Sequence, residues 1–145
     1  MTTVNDDKLF RKVMLRVLPL AMLGFFLSYL DRVNIGYAQA TMSADLGFSN
    51  VVYGLGAGLF FIGYFIFEIP SNLILAKVGA RKWIARIMIT WGLISGLMFI
   101  VDSEWMFYLL RFLLGVAEAG FIPGILFYMA HWFPASRRGR AWGIF

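Results

Sequence analysis

VMLRVLPLAMLGFFLSYLDRVNIGY, residues 13–37, is apolar enough to cross a bilayer, yet it carries Asp31 and Arg32 side by side. A charge near the bilayer interior costs at least ~2.5–3.5 kcal/mol on insertion scales. Residues that bear this cost usually face a bundle interior or a watery cavity, and they usually mark a substrate or ion path. The stretch therefore reads as a membrane-spanning helix, and the pair points to a protein that moves something across the membrane. Ala38-Gln39-Ala40 has the small-residue form of a signal-peptide cleavage site. A signal h-region, however, is only about 7–15 residues long and lacks charge. Asp31 and Arg32 come just before it here, so the helix is expected to stay uncleaved.

The composition outside this stretch is of the same kind. Of the 145 residues 61% are hydrophobic and 14% charged, against about 45–50% and about 25% in soluble domains. Strongly apolar segments recur at 13–37, 51–76, 83–101 and 105–133, and a fifth opens near 141. Each of the four is near or above the ~20 residues that a spanning helix needs. The fold class expected is an all-α polytopic membrane protein. No cysteine is present, which excludes disulfides, a thiol nucleophile and a thiolate metal site. No paired His/Glu metal spacing, nucleophile elbow or P-loop occurs either. No catalytic residue, metal or cofactor is therefore expected, and ATP-driven transport has no support within the chain.

Charge placement sets an orientation. Eleven of the thirteen Lys and Arg residues fall in the N-terminal tail, between the second and third spans, or after the fourth. They are Lys8, Arg11, Lys12 and Arg16, then Lys77, Arg81, Lys82 and Arg86, then Arg137, Arg138 and Arg140. The first and third connections carry only the acids Asp45, Asp102 and Glu104. The positive-inside rule then places the N-terminus and the even-numbered connections in the cytoplasm. It also explains the net charge of +5 without a nucleic-acid partner. Trp83, Trp105 and Trp132 lie near span ends and read as headgroup anchors. Gly54, Gly56 and Gly58, then Gly92 and Gly96, then Gly120 and Gly124, read as sites of close helix packing.

Six polar residues inside the spans are the candidate functional set. Tyr29 and Arg32 are three residues apart and share a helix face. Asp31 points about 100° away from Arg32, so the neighbours need not pair with each other. Tyr64 lies on the second span, with Glu68 one turn on. Arg111 and Glu118 share a face of the fourth span, separated by nearly two turns, about 10 Å. A carboxylate at the depth of Glu118 is a candidate carrier of a reversibly bound proton. Pro123 frees the carbonyl of Ala119, which predicts an irregular helix just beyond it. Glu68 and the lone His131 read as structural, at a helix end or interface.

Five segments in this order resemble a known family: LDRVNIGYA at 30–38, GYFIFEIPSNLIL at 63–75, GARKW at 79–83, RFLLGVAEAGFIPG at 111–124 and HWFPASRRGRAWG at 131–143. They are similar to the anion:cation symporter branch of the major facilitator superfamily. The chain departs from that superfamily's loop signature, G-x-x-x-D-[RK]-x-G-[RK]-[RK], in having Asn72 at the first glycine and Ala76 at the acid. This puts an aspartate-based cytoplasmic latch in doubt.

The resemblance implies a fold of two six-helix halves built from inverted repeats. This chain would supply the N-terminal portion of the N-terminal half, and a C-terminal half of the same transporter is an implied partner. It implies uptake of a small organic anion (a sugar acid, hydroxy acid or aromatic carboxylate) by symport with protons through alternating access. The setting would be the inner, or plasma, membrane. Carried over by position, Arg32 would bind the substrate carboxylate, Tyr29 and Tyr64 would line its pocket, Asp31 and Glu118 would serve proton coupling, and Arg111 would support the proton site. An organic anion exchanger or a sodium-coupled carrier of the same fold is the nearest alternative. An intramembrane enzyme or sensor is the distant one.

Overall fold

Long apolar runs broken by a few glycines and prolines dictate helices and the points where they stop. The computed structural model describes residues 3–145 as six α-helices: α1, Thr3–Leu46; α2, Asn50–Val78; α3, Ala80–Leu97; α4, Glu104–Glu118; α5, Phe121–Trp132; and α6, Ala135–Ile144. A single 3₁₀ turn, Met98–Ile100, extends α3. Four helical segments are long and apolar enough to cross a membrane: Asp7–Leu46, Asn50–Val78, Ala80–Ile100 and Glu104–Trp132.

Two elements depart from the expectation, the first and the last helix, and the irregularity expected at Ala119 is a full break. The first helix overshoots 13–37 at both ends, because hydropathy marks lipid depth while only a breaker ends a helix. Gly47, in the left-handed region at φ 70°, is that breaker. The segment at 105–133 is not one helix. It breaks at Ala119, which is extended with ψ 130°, and at left-handed Gly120, φ 83°. The helix expected to open near 141 begins instead at Ala135, directly after Pro134. Arg137, Arg138 and Arg140 thus lie on a helix and not in an open connection. Arg138 turns back to donate to the carbonyls of Ala130 at 2.8 Å and Phe133 at 3.4 Å. It thereby satisfies acceptors that the end of α5 leaves unpaired.

The other ends follow local chemistry. Ser49 caps α2 by accepting from the Val52 amide at 3.4 Å, and Glu104 sits in the first turn of α4, where the helix dipole favours an acid. The α2–α3 connection is Gly79 alone, at φ 96°.

The packing centre is the α2–α4 crossing. A Cβ on Gly63 would lie 2.6 Å from the Phe112 carbonyl oxygen, and one on Gly115 would fall onto the Phe60 backbone. Here two backbones touch, as small residues permit in membranes. Gly56, Gly120 and Gly124 are packed likewise against Phe107, Ser71 and Leu75. Gly54, Gly58, Gly92 and Gly96 meet nothing within 4 Å, so the small-residue pattern over-predicted contacts within this chain.

Two apolar clusters tie the ends of the bundle. Phe48, Val52, Val101 and Phe107, with Met42 and Leu46, join the ends that carry the acidic connections. Leu18, Phe121, Met129, Phe133 and Ala141, with Phe10 and Trp83, gather at the opposite end.

Candidate functional site

Asp31 and Arg32 leave α1 in different directions, as helical geometry requires. Asp31 accepts from Ser95 Oγ at 2.5 Å and from Trp91 Nε1 at 3.3 Å, both on α3. Arg32 crosses to α4, where its Nη2 donates to Glu118 Oε1 at 2.8 Å. One pair of adjacent residues therefore ties α1 to two different helices. Apolar contacts to the body of the chain add to this at Leu18, Ala21 and Gly24, the last lying against the Phe121 ring.

Glu118 is the last residue of α4 and fully buried, whereas the Arg32 side chain is about a third exposed (35%). The second oxygen of Glu118 and Nε of Arg32 have no hydrogen-bond partner among the described residues. Ser28, buried one turn before Arg32, faces the same carboxylate.

An aromatic layer separates the two intramembrane arginines. Phe60, 1% exposed, has the Arg32 guanidinium 5.6 Å from its ring centroid and that of Arg111 4.8 Å away. Tyr64 stacks on Phe60 and holds Arg32 at 5.4 Å. Each cation faces a π surface, and the ring keeps the two charges apart.

Arg111 forms no ion pair among the described residues, and its buried Nε is unpartnered. Glu118 is matched to Arg32 across helices and not to Arg111 on its own helix. Arg111 instead lines a cleft of about 590 Å³ together with Asp31, Asn34, Ser95, Met98 and Leu114.

The remaining candidates fall apart from this core. Tyr29 is 59% exposed and makes no hydrogen bond among the described residues. Glu68 is half-buried and forms no ion pair among them. His131 is exposed and sits against the Phe127 ring, 4.5 Å between centroids. Trp83 is not simply an anchor: its Nε1 donates to Ser71 Oγ at 2.9 Å, and its ring carries the Arg86 guanidinium at 4.0 Å. Sequence reasoning passed over Ser28, Phe60, Ser71, Trp91 and Ser95. Serines and aromatics are ordinary in spans, and only their partners on other helices mark them.

In chemical terms the arrangement is a partly open guanidinium whose ion-pair partner among the described residues is a buried carboxylate. A second anion reaching that guanidinium would share its charge with Glu118. Neutralising Glu118 would release Arg32 to bind it.

Residues 21–145 match the Major Facilitator Superfamily, and the chain belongs to that family. It is a multi-pass membrane protein of a family of transporters, not of enzymes. It is 61% identical over 140 residues to a provisionally named tartrate transporter of Agrobacterium vitis, covering 97% of this chain and 32% of that protein. It is 51% identical to a quinolone resistance transporter of Acinetobacter baumannii, over 97% of this chain and 32% of the relative. It is also 41% identical to the inner membrane transport protein RhmT of Escherichia coli (strain K12), over 100% of this chain and 34% of the relative. The chain spans about a third of the length of these curated relatives. No solved structure matches it.

Proposed function

We propose that the chain is the N-terminal portion of a secondary transporter of the anion:cation symporter branch, importing a small organic anion with protons by alternating access. Arg32 receives the substrate carboxylate beside Tyr64, and the exposed Tyr29, one turn earlier on α1, would complete the pocket only against groups outside this chain. Glu118 and Asp31 carry the coupled proton, and Arg111 supports them. The observation that carries the reading is the Arg32–Glu118 pair, closed at 2.8 Å with the carboxylate fully buried.

Two anions cannot share one guanidinium without cost. A substrate carboxylate arriving at Arg32 displaces Glu118, and a buried carboxylate without its cation is unfavourable until a proton neutralises it. Substrate and proton then favour each other's binding, and such reciprocal coupling is what symport requires. Asp31, held by Trp91 and Ser95 beside the cleft that Arg111 lines, is the second acid in reach. The names of the relatives, a tartrate transporter among them, support a small organic substrate. The name of RhmT and the charge asymmetry support an inner-membrane protein with a cytoplasmic N-terminus.

The test uses the full-length transporter in proteoliposomes, challenged with a panel of hydroxy, sugar and aromatic acids. Glu118→Gln is expected to lose accumulation driven by a proton gradient while retaining counterflow exchange. If Glu118→Gln and Asp31→Asn both still concentrate substrate in a pH-dependent way, the proton assignment is wrong. Accumulation by the wild type that ignores the proton gradient selects the exchanger or sodium-coupled reading instead.

A further inference from the structure

The break between α4 and α5 comes directly after Glu118, and it is held from outside its own segment. Pro123 offers no N–H to the carbonyl four residues earlier, which leaves the Ala119 oxygen without a helical donor. Ser71 on α2 supplies one: its Oγ donates to that oxygen at 2.7 Å and accepts from Trp83 Nε1 of α3 at 2.9 Å. Ser71 is 5% exposed, so water does not replace either bond. A Cβ on left-handed Gly120 would approach Ser71 Oγ to 2.5 Å. Glycine at this position therefore allows both the turn and the close approach of the hydroxyl. One hydroxyl joins three membrane segments at the residue that follows the buried carboxylate.

We propose that Ser71, oriented by Trp83, is a positioning residue for Glu118, fixing the break so that the carboxylate meets Arg32. The proposal rests on the reading of Glu118 as a proton carrier. A side chain at a helix end moves with that end. Ala119, extended in place of helical, sets where α4 stops and where Glu118 projects. Without the Ser71 bond the Ala119 carbonyl is a buried, unpaired acceptor. The break then relaxes toward another donor and draws Glu118 off the guanidinium. The charged and titratable groups that face Glu118 are Arg32 and Asp31 from α1, Tyr64 from α2 and Arg111 from its own helix. From α3, Trp91 packs against this part of α4, and Phe121 of α5 lies against that indole.

The experiment is a pH-titrated infrared difference spectrum of the full-length transporter in lipid, which needs no substrate. The protonated Glu118 carboxyl is assigned as the C=O stretch that Glu118→Gln removes. Ser71→Ala is expected to move the titration midpoint of that band to higher pH, since Glu118 loses contact with its cation. The shift expected for one net hydrogen bond is on the order of half a pH unit to one. Trp83→Phe keeps an aromatic ring at the position and removes the N–H, and should shift the midpoint in the same sense by less. Ser71→Thr, which retains the hydroxyl, should restore the wild-type midpoint.

A role confined to stability would lower the yield or melting temperature of these variants and leave the midpoint in place. A midpoint in Trp83→Phe and Ser71→Ala that is unchanged or moved to lower pH overturns the proposal, and Trp83→Phe alone decides it if Ser71→Ala does not fold. If Glu118→Gln removes no titrating band, the reading of Glu118 itself fails, and the proposal that rests on it fails with it.

Discussion

In the proposed transporter Arg32 is the residue at which binding and coupling meet, and it does more than supply charge. Its guanidinium bonds Glu118 and lies over the rings of Phe60 and Tyr64. A planar cation can stack and donate at once, while an ammonium gives a compact point charge without the fork. In the full-length protein Arg32→Ala is expected to weaken substrate binding by about 100-fold or more, as for loss of a charge-assisted, two-bond contact. Arg32→Lys should recover little of it. Substrate-induced thermal stabilisation reads this directly, and wild-type affinity in Arg32→Ala would falsify the assignment. Breaking a buried pair costs ~3–5 kcal/mol when the surviving charge is stranded. The partial exposure of Arg32 keeps the cost below that range. Adding Glu118→Gln to Arg32→Ala should therefore return part of the lost stability without returning binding. At this scale the site was legible because charge in an apolar span is rare and conspicuous. The partners were less so. Spacing put Arg111 and Glu118 on one face of a helix, but pairing is decided by which helix faces which, and a periodic pattern carries no information across helices. Ser71 and Ser95 gave no signal, since a hydroxyl in a span can satisfy itself on its own helix, as Thr90 does with the Arg86 carbonyl at 2.9 Å.

The elements are held by backbone contact as much as by side chains. At the α2–α4 crossing a Cβ on Gly115 has no space, because the Phe60 carbonyl already occupies it. Gly115→Ala must push α2 outward, and overpacking of this kind costs ~1–3 kcal/mol. The displaced element is the one that carries Phe60 and Tyr64 against Arg32, so transport should fall with stability. Gly120→Ala is strained for a different reason. Its φ of 83° is left-handed, a conformation that costs other residues roughly 1–2 kcal/mol, and its Cβ would also meet Ser71. Both variants should melt below the wild type in detergent, and a wild-type melting temperature in either would show that its contact is dispensable. The break at Ala119–Gly120 was foreshadowed by Pro123, since proline removes a particular donor four residues away. The onset of α6 was not. Its turn is polar and arginine-rich and reads as a loop by hydropathy, while the helix start is set by Pro134 and the fixed φ of its ring.

Across the whole molecule, charge is sorted by end. The connections that carry Asp45, Asp102 and Glu104 gather around the cluster containing Phe48 and Phe107. The basic tail and connections gather around the cluster containing Phe10, Trp83 and Phe133. An ion pair between Asp7 and Arg137 joins the start of α1 to α6 at that basic end, and Arg137 also lies 5.0 Å over the Phe10 ring. The folded chain thus brings its basic loop residues to one end of the bundle, although they are spread from Lys8 to Arg140 in sequence. A cluster of cations on one side is retained in the cytoplasm during insertion, whereas acids weigh little in that choice. The basic end is therefore expected to be cytoplasmic. These 145 residues contain no cysteine, so labelling is clean once any cysteine in the rest of the full-length protein is replaced and provided that the probe sites are open to solvent. Ala80, the first residue of α3 at the basic end, is buried and would not react on either side, but Val78 and Ser136 are exposed at that end, as are Ala44 and Ser103 at the acidic end. Single cysteines at 44 and 103 of the full-length protein should react with a membrane-impermeant maleimide in intact cells. Cysteines at 78 and 136 should react only after permeabilisation. Labelling of 78 or 136 from outside, with 44 and 103 protected, would invert the topology. It would also place the N-terminal ends of α1 and α3 outside.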